Sequence, residues 1–147
     1  MATFNKFYCF TTDLGLEKHQ LNTDTLMVYL SNDQPVVGDT IYNGGATGPV
    51  EITAKNGYTA KGKDVTNTWA DAGSGVATLS LGADLVWTGS TVTDATGFGP
   101  FQWAVLFNDT DATDPLIGWW EYGASPITVM DTETFTFDMT TSLFTVT

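Results

Sequence analysis

The sequence predicts an all-β fold: a single-domain antiparallel β-sandwich over residues 1–147, with a jelly roll among its arrangements and at most one short N-terminal helix. Three observations carry that reading. Residues 98–122, FGPFQWAVLFNDTDATDPLIGWWEY, hold two runs dense in aromatic and branched side chains around an acidic turn. In the first run Phe101, Trp103, Val105 and Phe107 fall on one face and Gln102, Ala104, Leu106 and Asn108 on the other, the period of a strand with one face for the core. The second observation is a train of short alternating runs separated by Gly-bearing turns, the pattern of a two-sheet sandwich. The third is size: at 147 residues and 15.8 kDa the chain buries roughly 70% of its extended surface and needs no covalent staple.

Taken in order, residues 1–7 read as an N-terminal arm. Between Asn5 and Gln20 a helix competes with a strand. Asn5 is a good N-cap and Phe7, Phe10 and Leu14 follow at helical spacing, while Tyr8, Thr11 and Thr12 favour strand and Gly15 weakens a helix. Leu26, Val28 and Leu30 alternate as a strand. Residues 31–50 are rich in Gly, Asn, Asp and Pro and read as a long loop, a length that compact domains keep when the loop packs on something or acts. Strand patterns resume around Ile52, Lys63–Trp69, Ala77–Leu81, Asp84–Thr88, Pro126–Met130, Thr134–Asp138 and Leu143–Thr147, with AGSG as one of the turns between them. In the 98–122 hairpin, NDTDATDP supplies the turn, and Pro115, which cannot donate to a ladder, belongs at the start of the returning strand. Trp119 and Trp120 are adjacent and must face opposite sides.

Five lysines, no arginine and one histidine stand against 17 acidic residues, a formal net charge of −12. Nucleic acid is excluded as a partner on that ground, since binding phosphates needs a basic stripe, and no arginine is present to clamp an anion bidentately. The N-terminus has no basic region followed by a long apolar run, and no apolar stretch reaches a membrane span, so a chain without an export signal or membrane segment is expected. Cys9 is the only cysteine and reads as a small buried hydrophobe, compatible with assembly in a reducing cytoplasm.

Motifs for chemistry are weak. GYTAKGKD at 57–64 misses the phosphate-binding loop where it matters, with Asp64 in the place of the magnesium-binding hydroxyl and no strand–helix frame, and reads as a turn. Asp109, Asp111 and Asp114 lie close enough to converge on a cation, but Asp114 and Trp120 occupy the positions where a calcium loop wants Gly and Glu, so a solvated hairpin tip is the better reading. His19 is the one imidazole, no Ser lies in a G-x-S-x-G elbow, and one His with one Cys falls short of a zinc site. Glu51, Glu121 and Glu133 are the carboxylates from which an acid–base pair would have to be drawn. The chain is expected to be no enzyme and to bind no metal or other cofactor.

The opening MATFNKFYCF...DLGLEKHQLNTDTLMVYLSND, the central KNGYTAKGKDV and the closing GPFQWAVLFNDTDATDPLIGWWEYG...ETFTFD...LFTVT together resemble small acidic virion proteins of tailed bacteriophages. The resemblance covers nearly the whole chain and implies a structural part of the particle, with no catalytic residues to carry over. It further implies a decoration or cement protein that binds and stabilises the outer capsid surface, with the major capsid protein as partner, a homo-oligomer about local threefold axes, and assembly in the host bacterial cytoplasm. The segments expected to make those contacts are the arm and the long loop, through Phe4, Asn5, Phe7, Asp39, Ile41 and Tyr42, together with Trp120. The rivals are a tail, collar or fibre component and, in another class, a carbohydrate-binding module, which requires Trp69, Trp87 and Trp120 on an exposed platform.

Overall fold

A computed structural model describes residues 2–71, 73–139 and 142–146; Met1 of the expected arm, Ala72 of the AGSG turn and Thr147 of the last strand lie outside the described residues. The fold is all-β and antiparallel, with one short helix. In chain order the elements are β1 (Phe4–Lys6), α1 (Tyr8–Gly15), β2 (Leu26–Ser31), β3 (Lys63–Val65), β4 (Asn67–Asp71), β5 (Ala77–Leu81), β6 (Leu85–Thr88), β7 (Phe98–Phe101), β8 (Trp103–Asn108), β9 (Leu116–Glu121), β10 (Ile127–Val129), β11 (Thr134–Phe137) and β12 (Phe144–Val146). A five-stranded sheet in the order β1-β9-β8-β2-β3 is accompanied by two-stranded sheets β10-β7 and β11-β6 and a three-stranded sheet β12-β5-β4. These described sheets number four, where a jelly roll has two.

The central hairpin β8–β9 and strand β2 form the spine, in register from Leu26 opposite Asn108 to Ser31 opposite Trp103. Both faces of this spine are buried. Leu26, Val28, Leu30, Ala104, Leu106, Ile117 and Trp120 enter the larger hydrophobic cluster, with Leu79, Trp87, Phe98, Phe101 and Phe137 arriving from the smaller sheets. On the other face Tyr29, Val105, Phe107, Leu116 and Trp119 form a second cluster with Phe7. This corrects the expectation of a single core face on β8: the helix and loop cover the face of Val105 and Phe107 that alternation assigns to the core, and the smaller sheets cover the face of Ala104 and Leu106 that it assigns to solvent. The expected continuous face of Phe101, Trp103, Val105 and Phe107 is also broken. Gln102 interrupts the strand, its N–H bonded to the Ser31 carbonyl, so Phe101 lies in the larger cluster while Val105 and Phe107 lie in the smaller, and Trp103 is only half-buried at its rim.

A bulge shapes β9. Leu106 pairs with Gly118 and Phe107 with Leu116, leaving Ile117 as the extra residue, which turns neighbouring side chains toward one face. Gly118 then leaves room for the Phe4 ring of β1: a Cβ there would stand 2.2 Å from that ring.

The N-terminal arm is a strand rather than a free end. Phe4, Asn5 and Lys6 pair with Trp120, Trp119 and Gly118, and apolar alternation over three residues is too short a signal to announce this. The helix forms where it competes in sequence, but its N-cap is Phe7 and not Asn5; Asn5 belongs to β1 and its amide donates to the Thr3 carbonyl. No strand forms around Ile52, whose N–H bonds the Leu30 carbonyl from irregular backbone, and the Lys63–Trp69 run divides into two strands of different sheets.

Candidate functional site

The groups able to do chemistry are mostly consumed inside the fold. Glu51 accepts hydrogen bonds from the Tyr42 and Tyr58 hydroxyls, the latter at 2.7 Å, while the Leu30 N–H donates to the Tyr58 oxygen at 3.0 Å. Burial holds both phenols well above their usual range, with the Glu51 carboxylate adding to it, so they remain hydrogen-bond donors. Glu133 accepts from the Met130 N–H and Glu121 is exposed at the end of β9; each of the three carboxylates occupies its own setting. His19 is buried, its Nδ1 facing the Asn108 amide at 3.3 Å and its Nε2 without a hydrogen-bond partner among the described residues. Burial lowers its affinity for a proton, against the opposing pull of Asp13, Asp24 and Asp111. Asn108 also donates to Asp24 at 2.6 Å and to the Lys18 carbonyl, tying the post-helix segment to β8.

The acidic hairpin tip has its cation already. Lys61 pairs with Asp109 and, at 3.3 Å, with Asp114, and its ammonium sits over the Tyr42 and Phe107 rings at 5.6 and 5.9 Å. Asp111 instead accepts from Thr113 at the turn. No metal-binding group of His, Cys, Asp and Glu occurs among the described residues. The 57–64 segment is a turn: a Cβ on Gly62 would meet the Val28 carbonyl oxygen at 1.9 Å and its φ is +72°, so this glycine serves the close approach of loop to β2, and Lys63 begins β3 with no helix after it.

What remains for recognition is surface. The 31–50 loop packs on the second cluster through Tyr42, whose ring stacks on Phe107 at 4.6 Å and meets Tyr29 edge-on at 5.0 Å. Thus anchored, the loop presents Val36, Val37, Ile41 and Val50 to solvent, and Tyr8 of α1, 70% exposed, joins them because its N–H bonds the Val37 carbonyl. Asp39 ties the loop down, its carboxylate accepting from the Val36 N–H at 2.7 Å and its carbonyl from the Cys9 thiol at 3.4 Å. Burial and then the nearby Asp13 push that thiol up to about 11.

A second concave surface lies across the helix. Phe4 and Lys6 of β1, Phe10, Thr11 and Leu14 of α1, and Phe144, Thr145 and Val146 of β12 line a groove of about 480 Å³. Phe144 packs against Phe10 at 5.1 Å and stacks with Phe4 at 6.2 Å.

The seven residues expected at a partner surface therefore divide. Asp39, Ile41 and Tyr42 are together on the loop, where Ile41 alone is well exposed; Phe4 and Asn5 are half-buried in β1. Phe7 and Trp120, 0% and 3% exposed, are core residues with no surface to offer. Trp87 at 1% and Trp120 are likewise withdrawn from the platform a carbohydrate-binding module requires. The exposed Val36, Val37 and Val50 and the whole groove were not anticipated, although two valines amid the turn residues of QPVVGD are a legible sign.

No helix is long and apolar enough to cross a membrane among the described residues. Compared with protein-family models, curated proteins and solved structures, the chain matches none.

Proposed function

We propose that this chain is a bacteriophage virion structural protein of the decoration or cement kind, binding the outer surface of the assembled head and stabilising it. The observation that carries the proposal is the 31–50 loop: Val36, Val37, Ile41 and Val50 are all large apolar side chains exposed on this one anchored segment, and Tyr8 adjoins it at Val37. Apolar anchors fixed on a rigid support are what a binding surface needs, because little entropy is lost on docking. The whole chain carries a net charge of −12, so free copies repel one another and attachment falls to these anchors and to a less acidic receptor surface. The resemblance to small acidic virion proteins supplies the receptor, the major capsid protein, and with it a homo-oligomer, trimeric about the local threefold axes, assembled in the host cytoplasm. Catalysis has no part in this reading: Tyr42 and Tyr58 are bound to Glu51, and His19 is buried against Asn108.

Quantitative mass spectrometry of purified virions tests the assignment. A copy number comparable to that of the capsid protein, recovered with heads, is expected. A handful of copies that separate with tails would replace it with a tail, collar or fibre role, and absence from virions would end it.

A further inference from the structure

The groove between β1, α1 and β12 combines three features that belong together. The first is an open strand edge. Tyr122 donates to the Gln102 carbonyl, so by alternation Trp120 and Gly118 spend their backbone on β8 and Trp119 turns its own toward β1. Asn5, opposite Trp119, is thus hydrogen-bonded to β9, and the N–H groups of Phe4 and Lys6 point outward from the sheet's edge. The second is the apolar floor, formed where Phe10 and Phe144 meet beside Phe4. The third is Lys6. Lys18, Lys55 and Lys61 are each paired with a carboxylate, and Lys63 lies over the Trp87 ring. Lys6, in the groove, has Thr11 Oγ1 at 2.9 Å and no carboxylate among the described residues.

An unpaired strand edge takes an added strand, with the main chain giving affinity and alternate side chains giving specificity. We infer that this groove is a strand-addition site for an extended polypeptide segment of a partner protein, one that alternates apolar side chains with a carboxylate. The segment's main chain bonds the outward N–H groups of Phe4 and Lys6, its apolar side chains enter the groove against Phe10 and Phe144, and its carboxylate meets the Lys6 ammonium. In a chain this acidic, a lone cation beside an apolar floor selects an acidic segment and repels a basic one. The groove shares no residue with the loop face and does not depend on the head-binding proposal.

The test uses the purified full chain and two fluorescein-labelled peptides: one alternating valine with aspartate and threonine, the other with lysine in place of aspartate. The acidic peptide is expected to bind saturably and the lysine peptide at least about tenfold more weakly, a difference of about 1.4 kcal/mol. Lys6→Glu should reverse that order, and Lys6→Gln should abolish the preference while leaving circular dichroism unchanged. Hydrogen exchange read by NMR should slow at the Phe4 and Lys6 amides on adding the acidic peptide and stay as it was at Asn5. The inference is overturned if neither peptide binds, if Lys6→Glu leaves the order intact, or if binding protects no amide of β1. Virion copy number moves independently of all three readings.

Discussion

Gly118→Ala probes how the first strand is held. A methyl group at this position would stand 2.2 and 2.3 Å from two carbons of the Phe4 ring and 2.5 Å from the Asn5 carbonyl oxygen. The ring can swing aside; the Asn5 carbonyl belongs to a strand paired with β9 and moves only if the strand does. Overpacking of this kind costs about 1–3 kcal/mol, and for a chain of this size each kcal/mol lowers Tm by roughly 2–4 °C. Urea denaturation should show a loss in that range, and amide exchange should accelerate at Asn5 and Phe7 while β2 and β8 stay protected. Combined with Phe4→Ala, the loss should be less than the sum of the two single losses, because the ring clash is then absent. A variant within about 0.5 kcal/mol of wild type, with β1 still protected, would refute the claim that the bulge and the missing side chain seat this strand.

Three further outcomes follow from the packing. Leu106→Ala and Phe107→Ala, buried on opposite faces of β8, should each cost about 2–5 kcal/mol, whereas the half-buried Trp103→Ala should cost less than either in the same denaturation assay. The Cys9 thiol should react slowly with a disulfide reagent in the native state. Because its folded value of about 11 lies above the ordinary 9.0, its contribution to stability is complete below pH 9 and is lost as pH rises toward 11, a decline that Cys9→Ser should flatten. His19, lowered by burial from 6.5, contributes stability that is complete above pH 6.5 and is lost as pH falls below it. The slope of stability between neutral pH and pH 5 should be shallower in His19→Gln than in wild type.

The strands of the second half were legible wherever one face met the core and the other met water. In β11, Phe135 and Phe137 are buried and Thr134 and Thr136 exposed, as the alternation requires. The central strands were legible as strands but not as two-sided ones, since alternation cannot reveal that sheets distant in sequence will cover the face of Ala104 and Leu106 while the loop covers that of Phe107; Leu106 and Phe107 look equally apolar whichever is covered. β1 escaped because three residues cannot establish a period and because its pairing partner lies more than a hundred positions away. For the surface, composition marked the 31–50 loop as unusual, and the structure supports it on Phe107 through Tyr42. Phe7 and Trp120 show why aromatic content near a terminus or in a tandem pair is a poor guide to contact: a large apolar side chain goes to the core when its backbone, a helix cap for one and a strand for the other, offers it that direction.

The central claim is that the loop face attaches the protein to heads. It is tested most directly by mixing purified wild type and a Val36→Asp, Val37→Asp double variant with undecorated heads, then counting bound copies and the heat resistance of the particles. Both valines are exposed, so the variant should keep the wild-type Tm. The account predicts that wild type binds to saturation and raises the heat resistance of heads, that the variant stays in solution, and that salt changes the rate of wild-type binding more than its final occupancy. Equal occupancy by the two proteins, or wild type that remains unbound on heads and travels with tails, would contradict it.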